Sequence, residues 1–256
     1  MKIAVSGKGG VGKTTIAALL ATELVRRGIG VIAIDADPNP TLAAALGFPP
    51  GPLPPLLEMS DEIEERIGTP GGFIRMNPRV DDLIDRVGRS HDGVHLIEAG
   101  GVTHGGAGCA CPQGVLLRRL LDHVVLESNE AVIVDFEAGL EHLGRRTAEA
   151  VDLMLVVADP SRASAETAGR IRRLAGEIGV SRVRVVGNRV RGPEDETWLA
   201  DHIDGLELIG SIPWNDDVIN AERSGRPITE VRGEVPAAVA RLADTLESIT
   251  SLEAGL

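Results

Sequence analysis

The sequence is poor in aromatic residues, in cysteine and in positive charge. Aromatic side chains make up 2% of the 256 residues and tyrosine is absent, so any core has to be built from Val, Ile, Leu and Ala. Lys and Arg number 26 against 38 Asp and Glu, which leaves a formal net charge of −12. Such a charge repels nucleic-acid phosphates and anionic lipids. The composition therefore argues against a nucleic-acid or membrane partner, unless a local basic patch exists.

The sequence also lacks a long hydrophobic run. No stretch of about 18 consecutive apolar residues occurs, so no transmembrane helix is predicted. Met1 and Lys2 lead directly into the first apolar run, which leaves no room for an N-terminal signal, and we expect a cytoplasmic protein. In that reducing compartment, two cysteines are more typical of metal binding or redox chemistry than of a structural disulfide.

Short apolar runs alternate with longer amphipathic stretches, and hydrophobic residues make up 43% of the chain. This alternation is typical of βαβ units and predicts an α/β fold: a mostly parallel, twisted sheet with helices on both faces. The length fits one such domain, covering 1–256. The predicted strands are Lys2–Val5, Val31–Ile34, Val94–Ile97, Ala131–Asp135, Leu153–Val157, Arg182–Val186 and Glu207–Ile212. The predicted helices are Thr14–Arg27, Val115–Leu126 and Ser164–Ile178.

Two segments depart from this alternation. An irregular insertion around 47–80 opens with a Gly- and Pro-rich run at 47–55, which cannot form regular structure. The insertion is either a surface excursion packed on the domain or an element that faces a partner. The stretch 237–252 is predicted as an amphipathic C-terminal helix that packs on the core, because it lacks the Lys and Arg cluster of a membrane-targeting helix.

A glycine-rich loop at residues 7–15 connects the first predicted strand to the first predicted helix. Its G-x-x-x-x-G-K-T pattern is typical of a phosphate-binding loop (P-loop), in which backbone N–H groups and a helix N-terminus surround a phosphate chain. Lys13 is predicted to contact the β- and γ-phosphates, and the Thr14 hydroxyl to bind Mg²⁺. The predicted nucleotide-binding residues of the loop are Gly9, Gly10, Val11, Gly12, Lys13, Thr14 and Thr15.

The loop carries a second lysine, Lys8, close to its own Lys13. With K-G-G-x-G-K-T, the sequence resembles the deviant Walker A ATPases, a family that includes MinD, ParA, nitrogenase iron protein and CooC. The resemblance implies a P-loop NTPase that binds ATP and ADP with Mg²⁺, hydrolyses ATP and forms an ATP-dependent homodimer. It also implies catalytic roles for Lys13 and for Lys8, which in this family reaches across the dimer to the partner's nucleotide.

Acidic residues end two of the predicted strands. Asp35 and Asp37 follow the second strand and point into the crevice at the carboxyl ends of the parallel strands, where ligands bind. By resemblance this is switch I, in which Asp37 positions the attacking water as a catalytic residue and Asp35 lies near the Mg²⁺ shell. A capping aspartate before a helix at Thr41–Leu46 is the alternative. Asp135 fits a Walker B aspartate, which is predicted to hold Mg²⁺ through water.

Asn188 and Pro213 are candidates for contacts with the adenine base. Asn188 ends a predicted strand, and the resemblance implies that its side chain hydrogen-bonds the base. Ile212 to Asn215 resembles the I-P-x-[DN] turn, which contacts the base through its backbone in this family. Asn188 as a simple turn residue is the alternative. We expect Trp214, in the same turn, to be a packing residue rather than a base-stacking one.

The two cysteines, Cys109 and Cys111, form a C-x-C pair in a Gly-rich segment. Two thiolates supply half of a tetrahedral sulfur site, and a two-fold dimer would complete it by placing the same residues opposite each other. Soft thiolates favour Zn²⁺, Ni²⁺ or an iron–sulfur cluster at such a dimer interface. Two small buried residues that lie close by chance are the alternative, and His104 is more typical of a loop histidine than of a further ligand.

A deviant P-loop ATPase with C-x-C in this position resembles the CooC-type accessory ATPases for nickel insertion into carbon monoxide dehydrogenase. Stretches 57–63, 76–81 and 135–143 also resemble that subfamily, so the resemblance covers nearly the whole chain. It implies a metal chaperone that carries Ni²⁺ or Zn²⁺ to apo carbon monoxide dehydrogenase. Two alternatives are a MinD/ParA-like positioning ATPase, which the acidic charge disfavours, and an iron–sulfur carrier ATPase.

Overall fold

The structure, a computed structural model, describes residues 1–37, 39–51, 53, 55–56, 65, 86–99, 129–136 and 151–251. The strands are β1 (Lys2–Gly7), β2 (Gly30–Ala36), β3 (Arg89–His91), β4 (Val94–Glu98), β5 (Glu130–Phe136), β6 (Leu153–Ala158), β7 (Val183–Val190) and β8 (Glu207–Pro213). The helices are α1 (Lys13–Arg26), α2 (Leu42–Leu46), α3 (Arg162–Glu177), α4 (Pro193–His202), α5 (Asp216–Ser224) and α6 (Glu234–Ser251), with a 3₁₀ turn at Ile228–Glu230.

The strands form one sheet in the order β3-β4-β2-β5-β1-β6-β7-β8, as far as the described residues go. Neighbouring strands are parallel throughout, except that β3 runs antiparallel to β4. The predicted α/β fold with a mostly parallel sheet is therefore confirmed. All seven predicted strands are present at nearly their predicted bounds. Six of them are mostly buried runs of β-branched and aliphatic residues, whereas in β8 only Ile212 is buried.

Helices cover both faces of the sheet. Successive strand residues point to opposite sides, so each face presents apolar side chains for the helices to bury. In β1, Ile3 and Val5 belong to the apolar cluster that contains α1, α2 and α6, whereas Ala4 belongs to the cluster that contains α3 and α4. Leu242 and Leu246 of α6 are buried in the first cluster, so the predicted packing role of the C-terminal helix is confirmed.

Some elements differ from the sequence prediction. Strand β3 and helices α4 and α5 were not predicted, since each is short and polar; α4 and α5 have one buried residue each, and β3 has none. The start of the insertion packs on the domain, where Phe48, Leu53 and Leu56 are buried and Arg89 donates to the carbonyl oxygens of residues 49 and 51. The helix predicted at Val115–Leu126 lies outside the described residues.

The strand order places the candidate site. β1 lies in the middle of the sheet and leads into the P-loop, with β5 and β2 on one side and β6, β7 and β8 on the other. The carboxyl ends of these parallel strands meet at one edge, so residues far apart in the sequence lie together there. In the part of the chain that the structure describes, we find no helix with the length and apolar character needed to span a membrane.

Candidate nucleotide-binding site

The P-loop needs glycine at two positions for steric reasons. Gly7 has φ +151° and Gly12 has φ +96°. A Cβ atom at Gly7 would lie 2.4 Å from the carbonyl oxygen of Val157, and one at Gly12 would lie 2.4 Å from Nδ2 of Asn188. A Cβ at Gly9 or Gly10, by contrast, would meet nothing within 4 Å. The loop is thus fixed against the sheet at both ends and open at its crest, where a phosphate chain can approach the backbone.

The N-terminus of α1 has features that favour the binding of an anion. Its N-cap is Gly12, which offers no side-chain hydrogen bond to the N–H groups of the first turn. Lys13 follows with 8% exposure. Its ammonium group makes no hydrogen bond or close ion pair with any described residue, and its charge lowers the pKa of Asp135 against the effect of burial. A buried cation beside uncapped N–H groups is stabilised when an anion binds. Lys8 is half-buried at the start of the loop, where its carbonyl oxygen accepts from the N–H of Val11 at 3.3 Å.

A buried carboxylate lies beside the P-loop. Thr14 donates from Oγ1 to Oδ2 of Asp135 at 2.6 Å, so two predicted Mg²⁺ ligands are already in contact. The other oxygen, Oδ1 of Asp135, is buried and has no hydrogen-bond partner in the described part of the chain. Burial raises the pKa of Asp135 to about 7, and the Thr14 hydrogen bond opposes the rise. An unpartnered buried carboxylate oxygen is the kind of group that a cation stabilises.

Asp35 and Asp37 serve different local roles. Asp35 is aligned with Asp135 across β2 and β5, and burial raises its pKa. Its carboxylate accepts three backbone hydrogen bonds, from Asp37 at 3.1 Å and from Thr41 and Leu42 at 2.9 Å each. Asp35 therefore caps the loop before α2, which is the alternative considered from the sequence, and its Mg²⁺ role stays a prediction. Asp37 is half-buried and accepts from the backbone N–H of residue 39 at 2.8 Å.

These residues fit a bound Mg²⁺. The ion takes hard oxygen ligands, and in phosphoryl-transfer sites it uses one or two carboxylates together with substrate phosphates and water. Thr14 and Asp135, with Asp35 beside them, supply such oxygens next to the phosphate-binding loop. Within the described ranges, no group of three or more His, Cys, Asp and Glu side chains is arranged to hold a metal ion.

The predicted nucleoside-binding residues lie on the other side of the P-loop. Asn188 is buried, donates from Nδ2 to the carbonyl oxygen of Val11 at 2.8 Å, and accepts from the N–H of Arg189 at 2.9 Å. Its side chain therefore joins β7 to the P-loop. Pro213 ends β8 and lines the same cleft as Asn188 and Gly12. The structure brings both residues to the loop, and their contacts with a base stay predictions.

Three residues of this cleft were missed from the sequence or interpreted differently. Glu222 of α5 accepts from Oγ1 of Thr15 at 3.0 Å, and Arg189 lines the cleft beside Asn188. Neither belongs to a recognisable motif. Trp214, expected to be a packing residue, is 37% exposed; the guanidinium of Arg191 lies 4.7 Å from its ring centroid, and its Nε1 donates to Asp216 at 3.1 Å. The predicted metal ligands Cys109 and Cys111, together with His104, lie outside the described residues.

Known proteins resemble this chain over most of its length. Residues 2–228 match the family described as the CobQ/CobB/MinD/ParA nucleotide binding domain. An uncharacterized ATP-binding protein of Methanocaldococcus jannaschii is 47% identical over 235 residues, which cover 89% of this chain and 91% of the relative. The carbon monoxide dehydrogenase accessory protein CooC of Rhodospirillum rubrum is 42% identical over 231 residues, 88% of each chain.

Solved structures share the fold. The MinD cell division protein of Aquifex aeolicus superposes with a TM-score of 0.71 at 22% identity, covering 96% of both chains. A ParA family ATPase of Chlorobium tepidum gives the same TM-score at 22% identity, covering 96% of this chain and 98% of the other.

Proposed function

This chain belongs to the CobQ/CobB/MinD/ParA nucleotide-binding domain family and is a CooC-like ATPase, and from that premise we propose that it is a metal-chaperone ATPase. Its cargo is Ni²⁺, with Zn²⁺ as the nearest chemical substitute, and its client is apo carbon monoxide dehydrogenase. The observation that carries the proposal is the C-x-C pair at Cys109 and Cys111 in a chain 42% identical to the carbon monoxide dehydrogenase accessory protein CooC.

The nucleotide site supplies the hydrolytic part of this function. The open crest of the P-loop and the buried Lys13 bind the phosphate chain, and Asp37 positions the attacking water. Mg²⁺, held by Thr14 and Asp135 with Asp35 nearby, neutralises charge on the phosphates when it is bound. Little covalent chemistry is needed from the protein, because phosphoryl transfer depends mainly on positioning and on charge stabilisation.

The metal-handling part requires two copies of the chain. Cys109 and Cys111 give two thiolates, and an isologous dimer doubles them to four, which suits a tetrahedral ion. In this dimer Lys8 contacts the partner's nucleotide, so ATP closes the interface and hydrolysis opens it. Metal then binds best to the closed state, and by linkage the metal must favour the ATP-bound dimer in return. The whole chain, 1–256, acts in this proposal as one domain.

The proposal is tested by replacing both cysteines. The double variant Cys109→Ser with Cys111→Ser should lose stoichiometric nickel and zinc, measured by elemental analysis after dialysis, while its far-UV circular dichroism stays that of the wild type. His104→Ala is the matched control from the same segment and should retain the metal. An unchanged nickel or zinc content in the double variant would refute the metal assignment.

The same preparations distinguish the two alternatives. Anaerobic reconstitution with iron and sulfide tests for an iron–sulfur cluster. A brown colour with a visible absorption band that the double cysteine variant lacks would favour an iron–sulfur cluster over nickel as the bound group. Sedimentation of the ATP-bound protein with anionic liposomes, or a shift of nonspecific DNA, would favour a positioning ATPase. We expect no binding to liposomes or to DNA, because the net charge of −12 repels anionic lipids and nucleic-acid phosphates.

A further inference from the structure

Arg189 has a backbone conformation that its sequence position does not explain. Three non-glycine residues of the described part have positive φ: Asp92 at 45°, Asp204 at 56° and Arg189 at 59°. The two aspartates each precede a glycine in a tight turn, where an Asp-Gly pair commonly adopts the left-handed conformation. Arg189 instead lies inside β7, with a long cationic side chain that disfavours this conformation.

Neighbouring contacts hold this conformation in place. The pairing of β7 with β8 shifts register between Gly187 and Val190, so Arg189 occupies a bulge. Its N–H donates to Oδ1 of Asn188 at 2.9 Å, and the carbonyl oxygen of Val190 accepts from the N–H of Trp214 at 2.8 Å. A strained backbone conformation that the surroundings maintain is typical of residues at ligand-binding and active sites.

Arg189 lies at the nucleotide cleft. Arg189 lines this cleft together with Gly12, Thr15, Asn188 and Trp214. The cleft reaches the P-loop at Gly12 and Thr15, on the side away from Thr14 and Asp135, which places Arg189 at the nucleoside end of a bound nucleotide. Its guanidinium group makes no hydrogen bond or ion pair with any described residue, although the chain carries twelve more acidic than basic groups.

We propose that Arg189 is a nucleotide-specificity residue whose planar guanidinium group stacks on the purine base. Arginine combines a charge with a flat face, and such a face packs on aromatic rings. The left-handed backbone of Arg189 lies at a bulge that borders the cleft. The inference depends on the nucleotide-binding role of the family and not on the proposed metal site, so a failure of either proposal leaves the other unaffected.

The test compares two ligands that differ in the nucleoside. ADP carries the base and tripolyphosphate does not, and isothermal titration calorimetry gives a dissociation constant for each in the presence of Mg²⁺. In Arg189→Gly the dissociation constant for ADP should rise roughly ten-fold, as expected for a lost stacking contact of a cation on a ring. The constant for tripolyphosphate should change by less than about two-fold. Arg189→Lys keeps the charge but not the flat face, and should stay weakened toward ADP.

Folding is checked in parallel. Glycine accepts the left-handed conformation without strain, so Arg189→Gly should unfold at a urea midpoint no lower than that of the wild type. Asp92→Gly is the matched control, because it makes the same backbone change in a turn distant in sequence and outside the cleft, and it should leave ADP binding unchanged.

Three outcomes would overturn the proposal. An ADP dissociation constant for Arg189→Gly within about two-fold of the wild type would show that Arg189 makes no stabilising contact with the base. An equal loss of tripolyphosphate affinity would assign the arginine to the phosphates and not to the base. Full ADP affinity in Arg189→Lys would show that charge alone is recognised.

Discussion

Charged side chains lie at both ends of helix α1, but they differ in whether they have hydrogen-bond partners. At the N-terminal end, the Gly12 cap offers no side chain, the Lys13 ammonium has no partner within the described residues, and Oδ1 of Asp135 is unpartnered. At the other end, Glu23 accepts from Arg26 at 2.7 and 2.8 Å and from Arg27 at 2.8 Å.

The C-terminal end of α1 is also tied to the C-terminal helix. Arg27 donates to the carboxylates of Asp244 and Glu247 at 2.7 and 2.9 Å, and to the carbonyl oxygen of Ala240 at 2.7 Å. Every charge in this cluster has a partner of opposite sign or a backbone acceptor. The difference indicates that the C-terminal end stabilises the fold. At the N-terminal end, the Lys13 ammonium and Oδ1 of Asp135 have no hydrogen-bond partner among the described residues, which leaves them available to a ligand.

The comparison predicts its largest effect at Lys13. In Lys13→Met the rate of ATP hydrolysis should fall by roughly 10²–10³-fold, because a positive charge at the transferring phosphate is lost. The urea midpoint of the ligand-free protein should not fall, since the buried ammonium, which has no hydrogen-bond or ion-pair partner among the described residues, is replaced by an apolar side chain of similar length. A malachite-green phosphate assay and urea unfolding followed by circular dichroism measure the two quantities.

Lys2→Met is the matched control for this prediction. It makes the same chemical change at the start of β1, at the opposite end of the strand from the P-loop, and should hydrolyse ATP at the wild-type rate. If Lys13→Met lost stability in the absence of ligand, Lys13 would contribute to the fold and the contrast between the two ends of α1 would fail.

A smaller and opposite effect is expected at Glu23. Glu23→Gln keeps the shape of the side chain but removes the charge that Arg26 and Arg27 bond, so the free energy of unfolding should fall by about 1–2 kcal/mol. The hydrolysis rate should stay at the wild-type value. A loss of hydrolysis without a loss of stability would reverse the roles assigned to the two ends.

The Glu23 effect should depend on pH in a defined direction. The Arg26 hydrogen bond holds the pKa of Glu23 below its ordinary value. A carboxyl group whose pKa is lower in the folded state stabilises fully above its unfolded pKa of about 4.3, and loses that contribution as pH falls through the folded value. Wild-type and Glu23→Gln proteins should therefore differ in unfolding free energy at pH 7, and the difference should start to shrink below about pH 4.3 and vanish only below the folded pKa of Glu23. A constant difference down to pH 3 would exclude the ionised form of Glu23 as the cause.

The phosphate end of the site was predictable from the sequence. Its residues follow a fixed spacing in one loop, and Asp135 ends an apolar strand that the parallel sheet places beside that loop. Seven strands of the sheet were equally predictable, because most of them are buried aliphatic runs, whereas the short, polar β3 was not. Asp35 shows the limit of this approach, since the sequence allowed both an Mg²⁺ ligand and a helix cap and the structure shows it accepting three backbone hydrogen bonds.

The nucleoside end was less predictable because its residues come from separate elements. Arg189 owes its position to a register shift between β7 and β8, and register shifts leave no pattern in a single sequence. Glu222 reaches Thr15 from α5, a polar helix with one buried residue, which the hydrophobic periodicity did not reveal. Trp214 was expected to be a packing residue. Its exposed position beside the Arg191 guanidinium depends on the path of the turn after β8, which the sequence does not reveal.

The central claim is that nucleotide and metal depend on the same dimer, and one measurement of metal content tests it. Wild-type protein is incubated with Ni²⁺ and a non-hydrolysable ATP analogue, passed through gel filtration, and analysed for nickel per chain; Lys8→Ala is treated in the same way. We predict about one nickel ion per two chains in a dimeric wild type, and a monomeric Lys8→Ala variant that binds the analogue but retains no stoichiometric nickel although its cysteines are intact. A Lys8→Ala variant that keeps the wild-type nickel content would contradict a metal site shared between protomers.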